Sequence, residues 1–179
     1  QVLILGSAGK IESIIRSVIP PGEAPIAAAG IAVTRSNEVW ISDSANHRVI
    51  MLDSSGEFER VIGHGAPSQS SDGFDQPAGL AIDLDGNLYV ADTGNQVVKK
   101  FSPTGVFLEA LGDGWLNTPT SVAVNSSGQV FVSDEAAHLI AVFAADGTYV
   151  GSISDDRLSD PHNAKIDGDM LYVVDRLAG

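Results

Sequence analysis

Four histidines, His47, His64, His138 and His162, and one recurring aspartate are the side chains best equipped to bind a cation, move a proton or hold a basic ligand. The aspartate appears as Asp43, Asp92, Asp134 and Asp175, at intervals of 49, 42 and 41 residues. Each closes a short apolar stretch with one aromatic at a fixed place: Val39-Trp40-Ile41-Ser42, Leu88-Tyr89-Val90-Ala91, Val130-Phe131-Val132-Ser133 and Leu171-Tyr172-Val173-Val174. A residue repeated once per unit is one the fold itself uses. Carboxylates bonded to loop amides account for all four, with a shared metal or ligand role as the alternative. Asn46 and Asn95, three residues after Asp43 and Asp92, have the same standing. With no cysteine, thiolate nucleophiles, disulfides and zinc-thiolate sites are excluded. The chain has no Gly-x-Ser-x-Gly, no P-loop pattern and no Gly-x-Gly-x-x-Gly after a strand.

The elements that position these groups follow from the repeat. Gly79 to Ile82, Leu88 to Ala91, Val97 to Phe101 and Val106 to Leu111 alternate with period two between Asp-Gly, Thr-Gly-Asn and Pro-Thr-Gly turns. They read as strands a, b, c and d of one antiparallel unit. Four strands in about 42 residues make a β-propeller blade. The stretch Lys10 to Ile19, which resembles a helix in isolation, aligns with the strand d segments Glu57 to Ile62 and Val106 to Leu111. Its β-branched content agrees with a strand.

The fold class is therefore all-β, a propeller of four-stranded antiparallel blades in one domain over residues 1–179. Three full blades are expected at about 28–64, 77–112 and 119–154. A composite fourth blade would combine residues 1–19, as strands c and d, with 161–179, as strands a and b. In the common alignment Gly179 falls at the place of His47 and Gln1 at that of Arg48. The expectation is four blades closed between the termini without an open edge; membership of a larger ring is the alternative. The segment Gly63 to Gln76 is an enlarged loop.

The unit at Pro77 to Gly105, Pro-Ala-Gly-Leu-Ala-Ile-Asp-x-Asp-Gly-Asn-Leu-Tyr-Val-Ala-Asp-Thr-Gly-Asn continuing to Phe-Ser-Pro-Thr-Gly, resembles an NHL repeat, and the likeness extends over essentially the whole chain. Ala28 stands where the other units have Pro, and Ala137 where others have Asn. The resemblance implies a propeller, for which six blades are more usual. It selects no function, since the family includes interaction scaffolds, extracellular sensors, RNA-binding modules and an amidating lyase.

Strand direction sorts loops by face. The d-to-a and b-to-c loops share one face, here called the top, which collects all four histidines and slightly more than half of the 23 acids. The amidating lyases of the family hold zinc with histidines at the mouths of inner strands, and Pro161-His162 matches one such step. The equivalent residues Ala29, Ala78 and Thr120 are not ligands, and a catalytic zinc needs three. His162 and Asp175 are the only metal candidates. The lactonase propellers would need Glu, Asn and Asp on the inner strands, where this chain offers small apolar residues plus Ser121, Asn163 and Lys165.

With 10 basic against 23 acidic residues and a formal charge of −13, the chain would repel nucleic acid and anionic membrane surfaces. No apolar run approaches a membrane span, and the beginning reads as that of a mature or trimmed product. The expectation is a non-catalytic binding or scaffold module, without cofactor unless a divalent cation binds. Its top face would take a protein or small molecule through His64, Phe74, Trp115, His162 and Lys165. Phe74 and Trp115 enter as solvent-facing aromatics, with coverage of the seam between blades as their other role. A metal-dependent lyase or hydrolase, and self-assembly through shared blades, are the alternatives. The composition fits a bacterial extracytoplasmic protein, as monomer or blade-sharing oligomer.

Overall fold

The second strand of each repeat shows why the chain folds as it does. A strand clamped between neighbours on both faces reads as an unbroken apolar run, and all five residues of β4 (Val39–Asp43) and of β8 (Leu88–Asp92) are buried. The computed structural model describes residues 24–176, together with the backbone of β1 (Val2–Leu5) and β2 (Ile11–Ile15). Blade 1 continues from β3 (Ala28–Val33) and β4 to β5 (Arg48–Leu52) and β6 (Phe58–Gly63). Blade 2 joins β7 (Pro77–Ile82) and β8 to β9 (Val97–Phe101) and β10 (Phe107–Leu111). Blade 3 is β11 (Pro119–Val124), β12 (Val130–Asp134), β13 (Leu139–Phe143) and β14 (Tyr149–Ile153). A last hairpin pairs β15 (Pro161–Asp167) with β16 (Met170–Asp175).

Each full blade is an antiparallel sheet in chain order. The outermost strands β10 and β14 alternate between partly buried and exposed residues, as a strand with one covered face must. Cores lie in the seams. One cluster sets Trp40, Val49 and Met51 of blade 1 against Leu80, Leu88, Val90 and Phe101 of blade 2. The next sets Tyr89, Val98 and Leu111 of blade 2 against Val122, Val130, Val132 and Phe143 of blade 3.

Inner strands approach closely because they lack side chains at the crossing. A Cβ on Gly79 would fall 2.5 Å from Ser121 Cα, so only glycine fits there. The equivalent residue of blade 3, Ser121, instead accepts a bond from Ala164 N at 3.1 Å. All four inner strands also begin with a one-residue break in pairing, after Ala28, Pro77, Pro119 and Pro161. Proline is tolerated there because the first residue of a strand need not donate to the ladder.

Two expectations from the sequence meet the strand pairing. The segment beginning at Lys10 contains a strand, Ile11–Ile15. Of the expected composite blade, the described strands form two separate two-stranded sheets, β1–β2 and β15–β16.

Candidate functional site

The recurring aspartates tie each blade's b-to-c loop to the segment leading into its inner strand. Asp43 accepts bonds from Ala27 N at 2.7 Å, from Asn46 Nδ2 at 2.8 Å and from Arg48 Nε at 2.8 Å. Asp92 accepts from Asp75 N at 2.7 Å and Asn95 Nδ2 at 2.7 Å, and pairs with Lys99 Nζ at 2.9 Å. Asp134 takes Asn117 N and Thr118 N at 2.7 and 2.9 Å, and where Asn gives way to Ala137 the backbone N–H of that residue donates at 3.2 Å. Asp175 takes Ser159 N and Asp160 N at 2.6 and 3.0 Å. Asn46 and Asn95 spend their remaining protons on the Pro25 and Ser68 carbonyls. A carboxylate offers about four acceptor positions, and these bonds engage most of them.

Lys99 is the residue that the sequence reading passed over. It stands where blades 1 and 3 have Ile50 and Ala141. Buried beneath the enlarged loop, its ammonium bonds the Ser70 and Gly73 carbonyls at 2.8 and 2.6 Å and lies 5.4 Å from the Phe74 ring centroid. The signal for it was a charge at an otherwise apolar position of the repeat. Burial pushes the Asp92 carboxyl up from the ordinary carboxylate value, against the lowering by Asn95, the Asp75 N–H and Lys99.

The sequence-derived surface residues do not form one site. Phe74 is a correction: it is fully buried, 5.6 Å from Phe101 in the blade 1–2 seam, and is not a solvent-facing contact. Its repeat equivalent is Leu116, also three residues before the inner-strand proline and also buried. Trp115 is exposed but lies against the outer strand of blade 3, stacked on Tyr149 at 4.1 Å and 16°. His64 stands on the enlarged loop with Nε2 3.2 Å from Asp72. The hydrogen bonds of His64 and Ser70 hold the Asp72 carboxyl below its ordinary range.

The other histidines bridge blades. His47, in the left-handed conformation that His adopts more readily than most residues, accepts the Gln76 N–H on Nδ1 at 3.1 Å. The Asp75 carboxylate lies 3.2 Å from the same nitrogen. His138 Nδ1 meets the Ser159 carbonyl.

Only His162 and Lys165 come together. Both line a cavity of about 400 Å³ in the channel mouth. The first residues of all four inner strands line it, with Thr120, Ser121, Asn163 and Lys165 supplying polar groups besides His162. His162 Nδ1 lies 3.5 Å from Glu135, close enough for an ion pair when protonated but making no hydrogen bond. Glu135 also meets Arg176 at 2.8 Å, which pairs with Asp160 at 2.8 Å. Among the described residues no carboxylate lies within ion-pair distance of Lys165. No group of three His, Cys, Asp or Glu side chains is placed to hold a metal among them.

Residues 28–50, 74–101 and 116–143 each match the NHL repeat family model. The chain thus carries three NHL repeats on a propeller-type fold. Over 88 residues the NHL chain is 33% identical to peptidyl-glycine alpha-amidating monooxygenase A of Xenopus laevis, covering 47% of itself and 9% of that protein. Over 70 residues it is 33% identical to NHL repeat-containing protein 2 of Bos taurus, covering 36% of itself and 10% of the relative. It thus spans about a tenth of these relatives. Among solved structures, virginiamycin B lyase from Staphylococcus aureus superimposes with TM-score 0.74 at 14% identity, over 97% of the NHL chain and 55% of the lyase chain. A chain of a nidogen/laminin complex gives TM-score 0.62 at 20% identity, over 77% and 51%. These structural likenesses concern the fold.

Proposed function

We propose that this NHL chain is a non-catalytic binding module that holds a protein segment or small ligand at its channel mouth. The observation that supports this reading is the lining of the 400 Å³ cavity. Apolar walls with a few convergent polar groups are what a binding pocket needs: Ala29 and Ile31 offer the apolar surface, and Thr120, Asn163, His162 and Lys165 the polar contacts. Lys165, without a carboxylate partner among the described residues, would attract an anionic group of the ligand. His64 and Trp115 are assigned to outlying contacts with a larger partner; the use of a related fold in a nidogen/laminin complex fits a protein partner.

Chemistry makes heavier demands. A catalytic zinc needs three protein ligands, and the cavity lining offers one imidazole. The partial likeness to an amidating monooxygenase favours a metal-dependent lyase as the second reading. A photoreactive side chain at position 165 tests the first. It should capture a ligand or partner that the same group at Val150, on the outer strand, does not. Equal capture at both places, or a stoichiometric transition metal in protein purified without chelator, contradicts it.

A further inference from the structure

Trp115 is a tryptophan that the fold does not ask for. It stands four residues before an inner-strand proline, where the other repeats carry Gly73 before Pro77 and Arg157 before Pro161. Its neighbour Leu116 fills the seam, as Phe74 does in the preceding repeat, whereas Trp115 remains 60% exposed. Tyr149, by contrast, belongs to the repeat: it opens the outer strand of blade 3 opposite Phe143, as Phe58 faces Leu52 and Phe107 faces Phe101. The indole lies flat on that tyrosine, 4.1 Å away and 16° from parallel, and Phe143 meets the same ring edge-on at 5.5 Å. One face of the indole is therefore covered and the other is bare, on a support packed against the core between blades 2 and 3.

The segments that bring the two rings together are acidic. The Trp115 N–H bonds the Gly112 carbonyl at 2.9 Å, closing a tight turn whose exposed second residue is Asp113. Asp146 lies on the turn that leads into Tyr149, accepting the Thr148 N–H at 3.0 Å, a bond that holds its carboxyl below the ordinary range. Among the described residues neither carboxylate meets a cationic side chain. A third acid against the same turn, Glu109, is already paired with Lys100 at 3.3 Å; its Oε2 lies 3.3 Å from where a Cβ on Gly147 would fall. An electron-rich ring face beside carboxylates attracts a cation. Guanidinium suits it well, being planar and weakly hydrated.

We propose that the rim between blades 2 and 3 docks a basic segment of a protein partner, with an arginine laid on the bare face of Trp115 and its charge answered by Asp113 and Asp146. A partner of opposite charge suits a chain with 23 acidic and 10 basic residues, for which a second copy would have the wrong sign. The inference rests on the reading of this chain as a binding module and adds the chemistry of the partner. It is read out at Trp115, so it can fail while capture at position 165 succeeds, and the reverse.

The chain has two tryptophans, and the sealed one, Trp40, serves as an internal control. Titration with an acetylated and amidated Arg-Gly-Arg-Gly-Arg peptide should move the Trp115 indole N–H resonance and leave that of Trp40 in place. The same peptide with citrulline for arginine keeps the shape without the charge and should move neither. By calorimetry, Trp115→Leu should weaken binding of the arginine peptide about tenfold, and Trp115→Phe only about twofold. The Asp113→Asn/Asp146→Asn double variant, which keeps the aromatic stack, should weaken it about fivefold, an effect that fades in high salt. Equal affinities for the two peptides, or an arginine-peptide affinity unchanged by either the Trp115→Leu or the double variant, would overturn the proposal. So would a Trp115 shift produced by maltohexaose and not by the arginine peptide, which would make the rim a carbohydrate platform.

Discussion

Trp40 and Tyr172 occupy the same position of the same repeat, yet one is sealed in a seam and the other faces solvent. The strand patterns around them barely differ: Val-Trp-Ile-Ser-Asp in one, Leu-Tyr-Val-Val-Asp in the other. What differs is the neighbour. In a propeller the core belongs to the contact between blades, so burial is decided by which blade stands next and not by the strand's own residues. The closed seams carry the stability of the fold.

The largest expected contrast follows directly. Trp40→Ala empties a packed seam and should cost about 3–5 kcal/mol in denaturant unfolding. Tyr172→Ala should change stability by no more than about 0.5 kcal/mol. Equal losses at both positions would mean that a neighbouring blade covers Tyr172 as one covers Trp40. Slightly smaller is the effect of Lys99→Met, which leaves the buried Asp92 carboxylate without its cation and should cost about 3 kcal/mol. It should also release the loop above, read as faster proteolysis between Ser68 and Gly73. Gly79→Ala forces a Cβ against the Ser121 backbone and should cost about 1–3 kcal/mol. Trp115→Ala removes a stacked ring from Tyr149 and should cost about 1 kcal/mol, together with loss of the solvent-exposed part of the tryptophan emission.

The smallest effect is on pH dependence, and the two carboxylates of the blade 2 clasp differ in sign. Asp72, held below the ordinary value of 3.8 by His64 and Ser70, contributes stability that is present above that value and lost as pH falls through its own lower range. Asp92 is raised by burial, so its neutral form is the one the fold favours, and its contribution declines as pH rises through the interval above 3.8. Thermal melts in acid should show a flatter low-pH limb in Asp72→Asn.

The blades and the faces of their loops were legible in the sequence because period-two alternation and a recurring aspartate both report on local structure. Phe74 was misplaced because a loop residue in a Ser- and Gly-rich stretch looks exposed. Its equivalence with Leu116, each three residues before an inner-strand proline, was the available sign that it fills a seam. Lys99 was hidden for a related reason, since its partners are carbonyls of a loop 26 and 29 residues away, whose position no local pattern encodes. Ring closure was the least legible feature. The repeat dictates that a b strand seeks a c strand, but the residues of β1 and β16 carry the same pairing preference whether the c strand comes from the same chain or another.

Hydrogen exchange compared between β4 and β16 tests the role of the neighbouring blade most directly. The account predicts that β4 and β8, sealed between blades, exchange only near global unfolding, and that the exposed Met170 to Val174 stretch of β16 exchanges at least about tenfold faster. Equal protection of β4 and β16 would contradict it.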